Sequence, residues 1–423
     1  MTPEELEVQL REEAERAIKA LVEKYRQSEN KTIDEIEAAA LAIGKQMKET
    51  ALRGMIAARP SDAALSACPQ CGGSLRRKGQ RAKWVHTQAG EAQVSRDYYY
   101  CEACGTGFFP SDRRMGLVHG LYSAGMAQQM VWLSGLLTFG QCSVGRSSIW
   151  RQFQAHGTNW LAQAEHDQSQ VNPERLQLGA VGADHATPKG VSLDGGMVNI
   201  RGQGWKEMKV GVIYDVSARL EYDEHSEEYI AMPHAENLAY RAVLGAVDSF
   251  RPALWALAVA HALPTARKSS VTADGAEWIW NISADLFPDS AQIVDWFHAC
   301  DPLAQAAEAL FSTDPKRAKV WYQQRQDDLF LGNLQAITLP LDKATLAQFS
   351  HYFHHHQRRM QYQEFREEGF PIGSGTVESG VKQFKTRLTA AGMRWNPESA
   401  QRMLLIRAAV LDHSFDVRWQ QAA

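Results

Sequence analysis

The stretch 371–395 reads PIGSGTVESGVKQFKTRLTAAGMRW. Its opening, Gly373-Ser374-Gly375, is a loop whose backbone can lie close to a phosphate or to another segment, because glycine carries no Cβ. A helix is expected to follow. Val377, Val381, Phe384 and Leu388 recur at helical spacing, and Lys382, Lys385, Arg387 and Arg394 fall largely off that apolar face. One acid, Glu378, stands at the start of this basic helix. Two readings compete for it. A first-turn glutamate complements the helix dipole, which is common. A lone carboxylate among bases also suits a metal ion held against a nucleic-acid backbone.

Upstream, from about residue 178, short β-like runs end on acids. Val191-Ser192-Leu193 leads into Asp194-Gly195-Gly196, and Ser270-Val271-Thr272-Ala273 leads into Asp274-Gly275. Gln292-Ile293-Val294 leads into Asp295-Trp296-Phe297-His298, and Met208–Tyr214 is a further β-like run. A strand end holds a carboxylate rigidly at a sheet edge, where a hard divalent cation finds oxygen ligands. A single Asp-Gly is more often only a turn. Two such pairs plus a helical glutamate suit phosphodiester cleavage, which uses two cations about 4 Å apart. Asp194, Asp274 and Glu378 are therefore the candidate ligands. Asp184 competes for the first place, but Gly179 and Gly182 make the run before it a poor strand, so Asp194 is preferred.

Nearer the start of the chain, Cys68-Pro69-Gln70-Cys71 and Cys101-Glu102-Ala103-Cys104 are two CxxC pairs, each followed by glycine. Four thiolates in two knuckles enclose one tetrahedral Zn²⁺, and two pairs favour zinc over a redox motif. Strands at Ala82–His86 and Gln93–Tyr100 around a turn at 88–91 complete the expectation of a zinc ribbon. Arg76, Arg77, Lys78, Arg81 and Lys83 beside it are either phosphate contacts or a solvated face. Residues 3–59 read as two helices: Leu6, Leu10, Ala14, Ala17, Leu21 and Tyr25 trace one face, and Thr32–Glu35 is a capping box. This arm suits packing or oligomerisation. Residues 123–155 alternate helical runs around Phe139-Gly140-Gln141, and Ser143–Phe153, with Arg146 and Arg151, has the look of a helix-turn-helix recognition segment.

Residues 302–363 are expected to be helical, with Trp321, Tyr322, Leu329 and Phe330 in the core. His354-His355-His356 reads as polar surface, since consecutive helical residues point in different directions and ligands need helical spacing. Cys142 and Cys300 read as lone buried thiols, and Ser399–Val410 as an amphipathic helix. The totals set limits. At 423 residues the chain can hold two or three domains, and 44% hydrophobic with 22% charged residues is ordinary for a globular protein. No apolar run approaches the roughly 20 residues of a membrane span, and the acidic start lacks a signal-peptide core. A net charge of −4 argues against a uniformly basic nucleic-acid surface, but not against a basic groove.

With these residues assembled, the chain resembles the DDE transposases of bacterial insertion sequences. Within them it is similar to the Kra-type insertion-sequence group, related to the Mutator-like transposases. The resemblance rests most on PIGSGTVESGVKQFKTRLTAAGMRWNPESAQRMLLIRAAV, with its glycine loop, Val-Glu, basic helix, Gly-Met-Arg-Trp and closing Leu-Arg helix. Asp295-Trp296-Phe297-His298 is similar to the (Cys/Asp)-x-x-His motif of the Mutator-like enzymes. It implies an α/β fold, a ribonuclease-H-like catalytic core whose mixed five-stranded sheet is interrupted by an α-helical insertion. The core would be preceded by the helical N-terminal arm, the zinc ribbon and the helix-turn-helix-like region.

The expected boundaries are 1–60 for the arm, 61–112 for the ribbon and 113–175 for the helical DNA-binding region. The core would take 176–300, the insertion 301–365, and the last part of the core, with its catalytic Glu helix, 366–423. The resemblance implies Mg²⁺ or Mn²⁺ on Asp194, Asp274 and Glu378, His298 beside them in the catalytic site, and structural Zn²⁺ on Cys68, Cys71, Cys101 and Cys104. Lys382, Lys385, Arg387, Arg394, Trp395, Arg146 and Arg151 become the candidate DNA contacts, with Trp395 stacking on a base. The expected partners are transposon ends and target DNA, in a homodimer or higher oligomer, in the cytoplasm on the nucleoid and with no membrane. The competing readings are a domesticated, non-catalytic zinc-ribbon and helix-turn-helix DNA-binding protein, and a structure-selective nuclease.

Overall fold

In the computed structural model, which describes residues 2–27, 32–59, 67–117, 120–141, 145–171, 187–223, 228–344 and 346–422, the chain divides into two units. One is Met1–Val131 with Arg146–Gln152, the other Trp132–Gly145 with Phe153–Ala423. Among the described residues no helix is long and apolar enough to cross a membrane. Asp184 and Cys142 lie outside the described residues.

The first unit opens with α1 (Pro3–Gln27) and α2 (Ile33–Ala58). Thr32 caps α2, and both bonds of the capping box with Glu35 are made. The helices run back along each other so closely that a Cβ on Gly54 would sit 2.8 Å from Leu6 Cδ1. Leu6, Leu10, Ala14, Ala17 and Leu21 face inward as their spacing requires, while Tyr25 is exposed. Three antiparallel strands follow, β1 (Leu75–Thr87), β2 (Gly90–Cys101) and β3 (Thr106–Phe108), in that order in the sheet. The short α3 (Pro110–Arg114) comes next, then α4 (Ala124–Leu136) and α5 (Arg146–Gln170).

These last two helices correct the helix-turn-helix expectation. Residues 137–145 separate them, where that motif uses a turn of three or four residues, and α5 runs on to Gln170 instead of ending near Phe153. The span 113–175 is not one domain, since it is shared between the two units.

The second unit holds a five-stranded mixed sheet in the order β6-β5-β4-β7-β8. Its strands are β4 (Lys189–Ile200), β5 (Gly204–Asp223), β6 (Glu228–Leu244), β7 (Ser269–Ala273) and β8 (Ala291–Val294). β4, β5 and β6 form an antiparallel meander, and β7 and β8 add parallel to β4. The edge strand β6 carries Pro233, which an edge tolerates because one side of its backbone needs no partner. α6 (Val247–Ala260) and α7 (Glu277–Leu286) cover one face, where Val191 and Leu193 meet Phe250, Leu254, Ile279 and Ile282 in the main core. α13 (Gly375–Leu388) and α14 (Pro397–Leu411) cover the other.

Between β8 and α13 come α8 (Trp296–Leu310), α9 (Pro315–Phe330), α10 (Leu334–Lys343), α11 (Ala347–His356) and α12 (Tyr362–Glu367); α15 (Phe415–Ala422) follows α14. Within this helical segment Trp321 and Leu329 are buried, and Tyr322 and Phe330 pack partly buried against the same core. The segment begins before Pro302, because Asp295 caps α8. His356 is not surface: it is buried against Trp280 and Tyr352, with His354 and His355 outside. Nor is α14 amphipathic. Met403 to Val410 are all buried, as befits a central helix.

Candidate metal centre and nucleic-acid interface

Parallel pairing of β4 with β7 ends at Leu193 opposite Ala273, and β7 pairs with β8 up to Ala273 opposite Val294. The next residue on each strand is an acid. Asp194, Asp274 and Asp295 therefore stand in a row across three neighbouring strands, at the level where β7 and β8 end, about 4.8 Å apart in backbone spacing. Asp274 and Asp295 follow strand ends as expected. Asp194 does not: β4 continues through Gly195 and Gly196 to Ile200, still paired with β5, so this acid is held mid-strand. Asp194 Oδ1 accepts the Gly195 N–H at 2.5 Å, and Asp274 Oδ1 accepts the Ala276 N–H at 3.0 Å.

Glu378 arrives from α13, whose preceding loop is sewn to β7 and to the residues just past β8. Thr272 Oγ1 donates to the Pro371 carbonyl at 3.1 Å, the Trp296 N–H to the Ile372 carbonyl at 2.9 Å, and the Ser374 N–H to Asp295 Oδ2. Ser374, itself buried, donates through Oγ to Glu378 Oε1 at 3.3 Å. His298, in the first turn of α8, has Nδ1 3.1 Å from Asp295 Oδ1 and 3.8 Å from Glu378 Oε1. Among the described residues, Asp295, His298 and Glu378 form one of two groups in which every potential ligand atom lies within 4.8 Å of the others. Asp194 and Asp274 stand outside that tight group.

Asp295 is nevertheless a poor ligand. It is fully buried, and its carboxylate already accepts the N–H groups of His298 and Ser374 as well as lying against the His298 ring. It acts as a clasp joining α8 to the glycine loop. Glu378 and His298 remain partly exposed. Burial raises the Asp194 pKa; the Gly195 N–H and Lys385 act against this, and the charges of Asp274 and Glu378 reinforce it. For His298, burial favours the neutral ring but is outweighed by Asp295, with Glu378 and Asp274 adding to it, so its pKa is raised. The three carboxylates thus share one electrostatic field. Oxygen donors concentrated against their own repulsion fit a hard divalent cation. Two cations about 4 Å apart with oxygen ligands at about 2.1 Å span roughly 8 Å, so the acids need not touch.

The basic residues divide. Lys382 and Arg394 are exposed, Lys382 Nζ lying 3.9 Å from Glu378 Oε2. Lys385 lies over β4, its Cε 3.3 Å from where a Cβ on Gly196 would be, so the glycine lets that side chain pass close to the strand. Arg387 and Trp395 correct the expectation of DNA contact. Arg387 is 2% exposed, donates to the Ser134 carbonyl and lies over the rings of Phe139 and Trp395. Trp395 is 4% exposed and donates to the Leu388 carbonyl, so no base can stack on it. Arg146 and Arg151 are exposed on α5.

In the first unit, Cys68, Cys71, Cys101 and Cys104 form the other tight group. The Sγ atoms of Cys68 and Cys104 are 3.7 Å apart and those of Cys71 and Cys101 3.6 Å. A tetrahedron with metal–sulfur bonds of about 2.3 Å has edges of about 3.8 Å, so the cage has the size of a zinc site. Gly72 and Gly105 take φ of +72° and +67°, the left-handed turn that each knuckle needs. The Gly73 N–H lowers the Cys71 pKa, but contacts with Cys101 and Cys68 outweigh it and push it up to about 12. Cys104, helped first by the Thr106 hydroxyl, is drawn down to about 7. Crowded thiols that cannot ionise together are what a cation resolves. The nearby bases are mostly engaged: Arg76 pairs with Glu102, Arg77 with Asp97, Lys83 reaches Asp112, and Arg81 lies over Tyr98. This favours the solvated face over phosphate contact.

No protein-family model matches the chain, and no curated protein matches it.

Sequence reasoning misses the clasp that Asp295 and Ser374 form. An aspartate three residues before the first helical histidine is an N-cap signature that could have marked Asp295. Nothing local marks Ser374, whose role depends on a partner 79 residues away. Tyr352 is missed as well; its hydroxyl lies 3.8 Å from a Cβ position on Gly275, next to Asp274.

Proposed function

We propose that the chain is a DDE-class DNA transposase of an insertion sequence, built on a ribonuclease-H-like core and cutting and joining phosphodiester bonds. The observation that carries this reading is the placement of Asp194, within β4, beside Asp274, just past the end of the adjacent β7, with Glu378 on a clasped helix in the same field. These three residues would hold Mg²⁺ or Mn²⁺, which supplies charge neutralisation at the attacking and leaving oxygens. The chain's own residues do the positioning. Lys385, beside Asp194, sets a positive charge where a phosphate would approach, and Lys382 and Arg394 continue that charge outward. His298, oriented by Asp295, offers a proton-carrying ring next to Glu378. The four-cysteine cage is read as a zinc ribbon that holds the first unit in shape, and Arg146 and Arg151 as further DNA contacts.

The test uses a supercoiled plasmid carrying the DNA that flanks the chain's own coding sequence. With Mg²⁺ we expect nicking at the ends and joining to target DNA. Asp194→Asn, Asp274→Asn and Glu378→Gln should each abolish cleavage and leave end binding in place. Cleavage retained by any of the three rejects the ligand assignment; binding without cleavage by the unaltered chain favours the non-catalytic reading.

A further inference from the structure

The edge strand β8 begins at Ala291, and the turn Gln357–Arg359, which follows α11, lies against it. Between them opens a recess of about 510 Å³. It is set apart from the acidic site: Gln292, on its wall, stands three residues before Asp295, about 10 Å along the extended backbone. Arg358, Arg359, His354 and His355 line the recess, and among the described residues no acid does. Arg359 is fixed in the wall. Its Nε donates to Gln292 Oε1 at 2.8 Å, its Nη1 lies 3.4 Å from His356 Nδ1, and its Cζ stands 4.6 Å from the centre of the Trp280 ring. Arg358 beside it is exposed. Neither arginine forms an ion pair among the described residues. His354 lies 4.0 Å from Asp342, which stands outside the recess.

A partly buried guanidinium gives up hydration that a carboxylate normally replaces. At Arg359 nothing replaces it: burial lowers the pKa and no neighbouring acid acts against this. Behind it, His355, Arg359 and His351 all add to the effect of burial on His356, again with no acid opposing them. The field in the recess is therefore positive. A chain with 49 acidic residues against 45 Lys and Arg nevertheless keeps acids off this wall, which leaves the place of the counter-charge to a ligand. Guanidinium forks offer paired N–H groups that match two oxygens of a phosphate, and the imidazole rings supply further donors. The space is enough for a phosphate and the sugar that carries it, with Phe365 as one apolar side. We propose that this recess is a phosphate-binding site separate from the acidic centre, with Arg358 and Arg359 as its main donors. The proposal does not depend on the reading of Asp194, Asp274 and Glu378 as a strand-cutting centre. A DNA backbone and a free nucleotide both present such a group, and the test separates them.

The full chain, its histidine rings isotope-labelled, would be titrated with inorganic phosphate in chelator, at an ionic strength held constant with sodium chloride. We expect the NMR signals of the His354 and His355 rings to shift and saturate together. Arg358→Gln, at an exposed position that the fold does not need, should weaken phosphate binding roughly tenfold, and Arg359→Gln at least as much. The proposal is overturned if the shifts do not saturate, or if both variants bind phosphate as the unaltered chain does. A short DNA duplex and thymidine triphosphate would then compete for the bound phosphate. Displacement by the duplex assigns the site to a DNA backbone, and displacement by the triphosphate alone assigns it to a free nucleotide. Displacement by neither rejects the proposal and leaves an adventitious ion only. Asp274→Asn should keep the phosphate affinity while abolishing Mg²⁺-dependent cleavage of the plasmid described above. If phosphate binds as expected but the unaltered chain cuts no DNA, the catalytic reading fails and the phosphate site stands; if the chain cuts DNA but binds no phosphate here, only the phosphate site fails.

Discussion

The buried carboxylate of Asp295 accepts the backbone N–H of Ser374, 79 residues further along the chain. The same carboxylate caps α8 through the His298 N–H at 2.8 Å and holds the His298 ring. One side chain therefore sets two elements that reach the acidic site: the helix carrying His298, and the loop from which Glu378 projects. Asp295→Ala would leave buried N–H groups without an acceptor, at about 1–3 kcal/mol each, so a loss of about 3 kcal/mol is expected in urea unfolding. Asp295→Asn, which keeps one acceptor oxygen, should lose less. Mn²⁺ affinity by calorimetry should fall in both, because Glu378 is no longer held. Unchanged stability with unchanged Mn²⁺ affinity would reject the clasp.

Asp194 is held against the charges of Asp274 and Glu378, and burial adds to the cost of its ionisation. A site that binds a cation stores repulsion that the cation relieves. In EDTA, Asp194→Asn should therefore raise the melting temperature, by an amount equivalent to ~1 kcal/mol. Mg²⁺ should stabilise the unaltered chain by RT ln(1 + [Mg]/Kd) and the variant far less. The crossing of those two effects is the signature; a variant destabilised in EDTA and still stabilised by Mg²⁺ would contradict it.

His356 illustrates a different electrostatic burden. Burial, with help from His355, Arg359 and His351, lowers its pKa from 6.5 to about 4. The sign follows directly. Between these values the unfolded chain binds a proton that the folded chain refuses, so stability is full above pH 6.5, declines as pH falls toward 4, and changes no further below it through this residue. The decline amounts to at most ~2 kcal/mol once solvent screening is allowed for. Urea midpoints measured at neutral and mildly acidic pH should differ less in His356→Gln than in the unaltered chain.

That Asp194 and Asp274 sit on or just after strands and Glu378 in the first turn of a helix could be read from the sequence, because a β run followed by Asp-Gly is a local signal and Glu378 heads a helix with clear apolar spacing. The capping box at Thr32 and the paired cysteines were legible for the same reason: each is specified within a few residues. What escaped was set by distant partners. β6 contains Pro233 and alternates weakly, so its pairing with β5 is visible only once the sheet exists. That β4 runs on past Asp194 depends on β5 opposite Gly195 and Gly196. Burial of His356 depends on Trp280 from α7. Arg387 looked like one more base on a basic helix, and only the rings of Phe139 and Trp395 reveal it as core.

The cage of four cysteines should hold one zinc ion per chain, measurable by mass spectrometry of the metal content. Among the described residues of the first unit, a small cluster of Val85, Val94 and Leu117 supports the strands, with Ile56 and Met115 packed against it. Such a modest core gains much of its stability from a structural metal. A strong zinc chelator, or Cys101→Ser, should open amide exchange across β1–β3 while protection in β4, β7 and β8 persists. Equal protection of both regions after metal removal would mean that the cage does not hold the ribbon together.

Arg387 and Lys382 lie five residues apart on α13 and should respond in opposite ways to removal of charge. Arg387 is enclosed: its guanidinium meets two aromatic faces and the Ser134 carbonyl. Arg387→Ala should cost about 2–4 kcal/mol in unfolding, through lost packing and the lost hydrogen bond to the Ser134 carbonyl. Lys382 is largely exposed, and its contact with Glu378 is worth little. Lys382→Ala should change stability by less than about 0.5 kcal/mol, yet weaken DNA binding and reduce the dependence of log affinity on log salt by about one unit. Denaturation curves and salt titrations on the same two variants separate a core cation from a phosphate contact. A stable Arg387→Ala protein with weakened DNA binding would return that residue to the DNA surface.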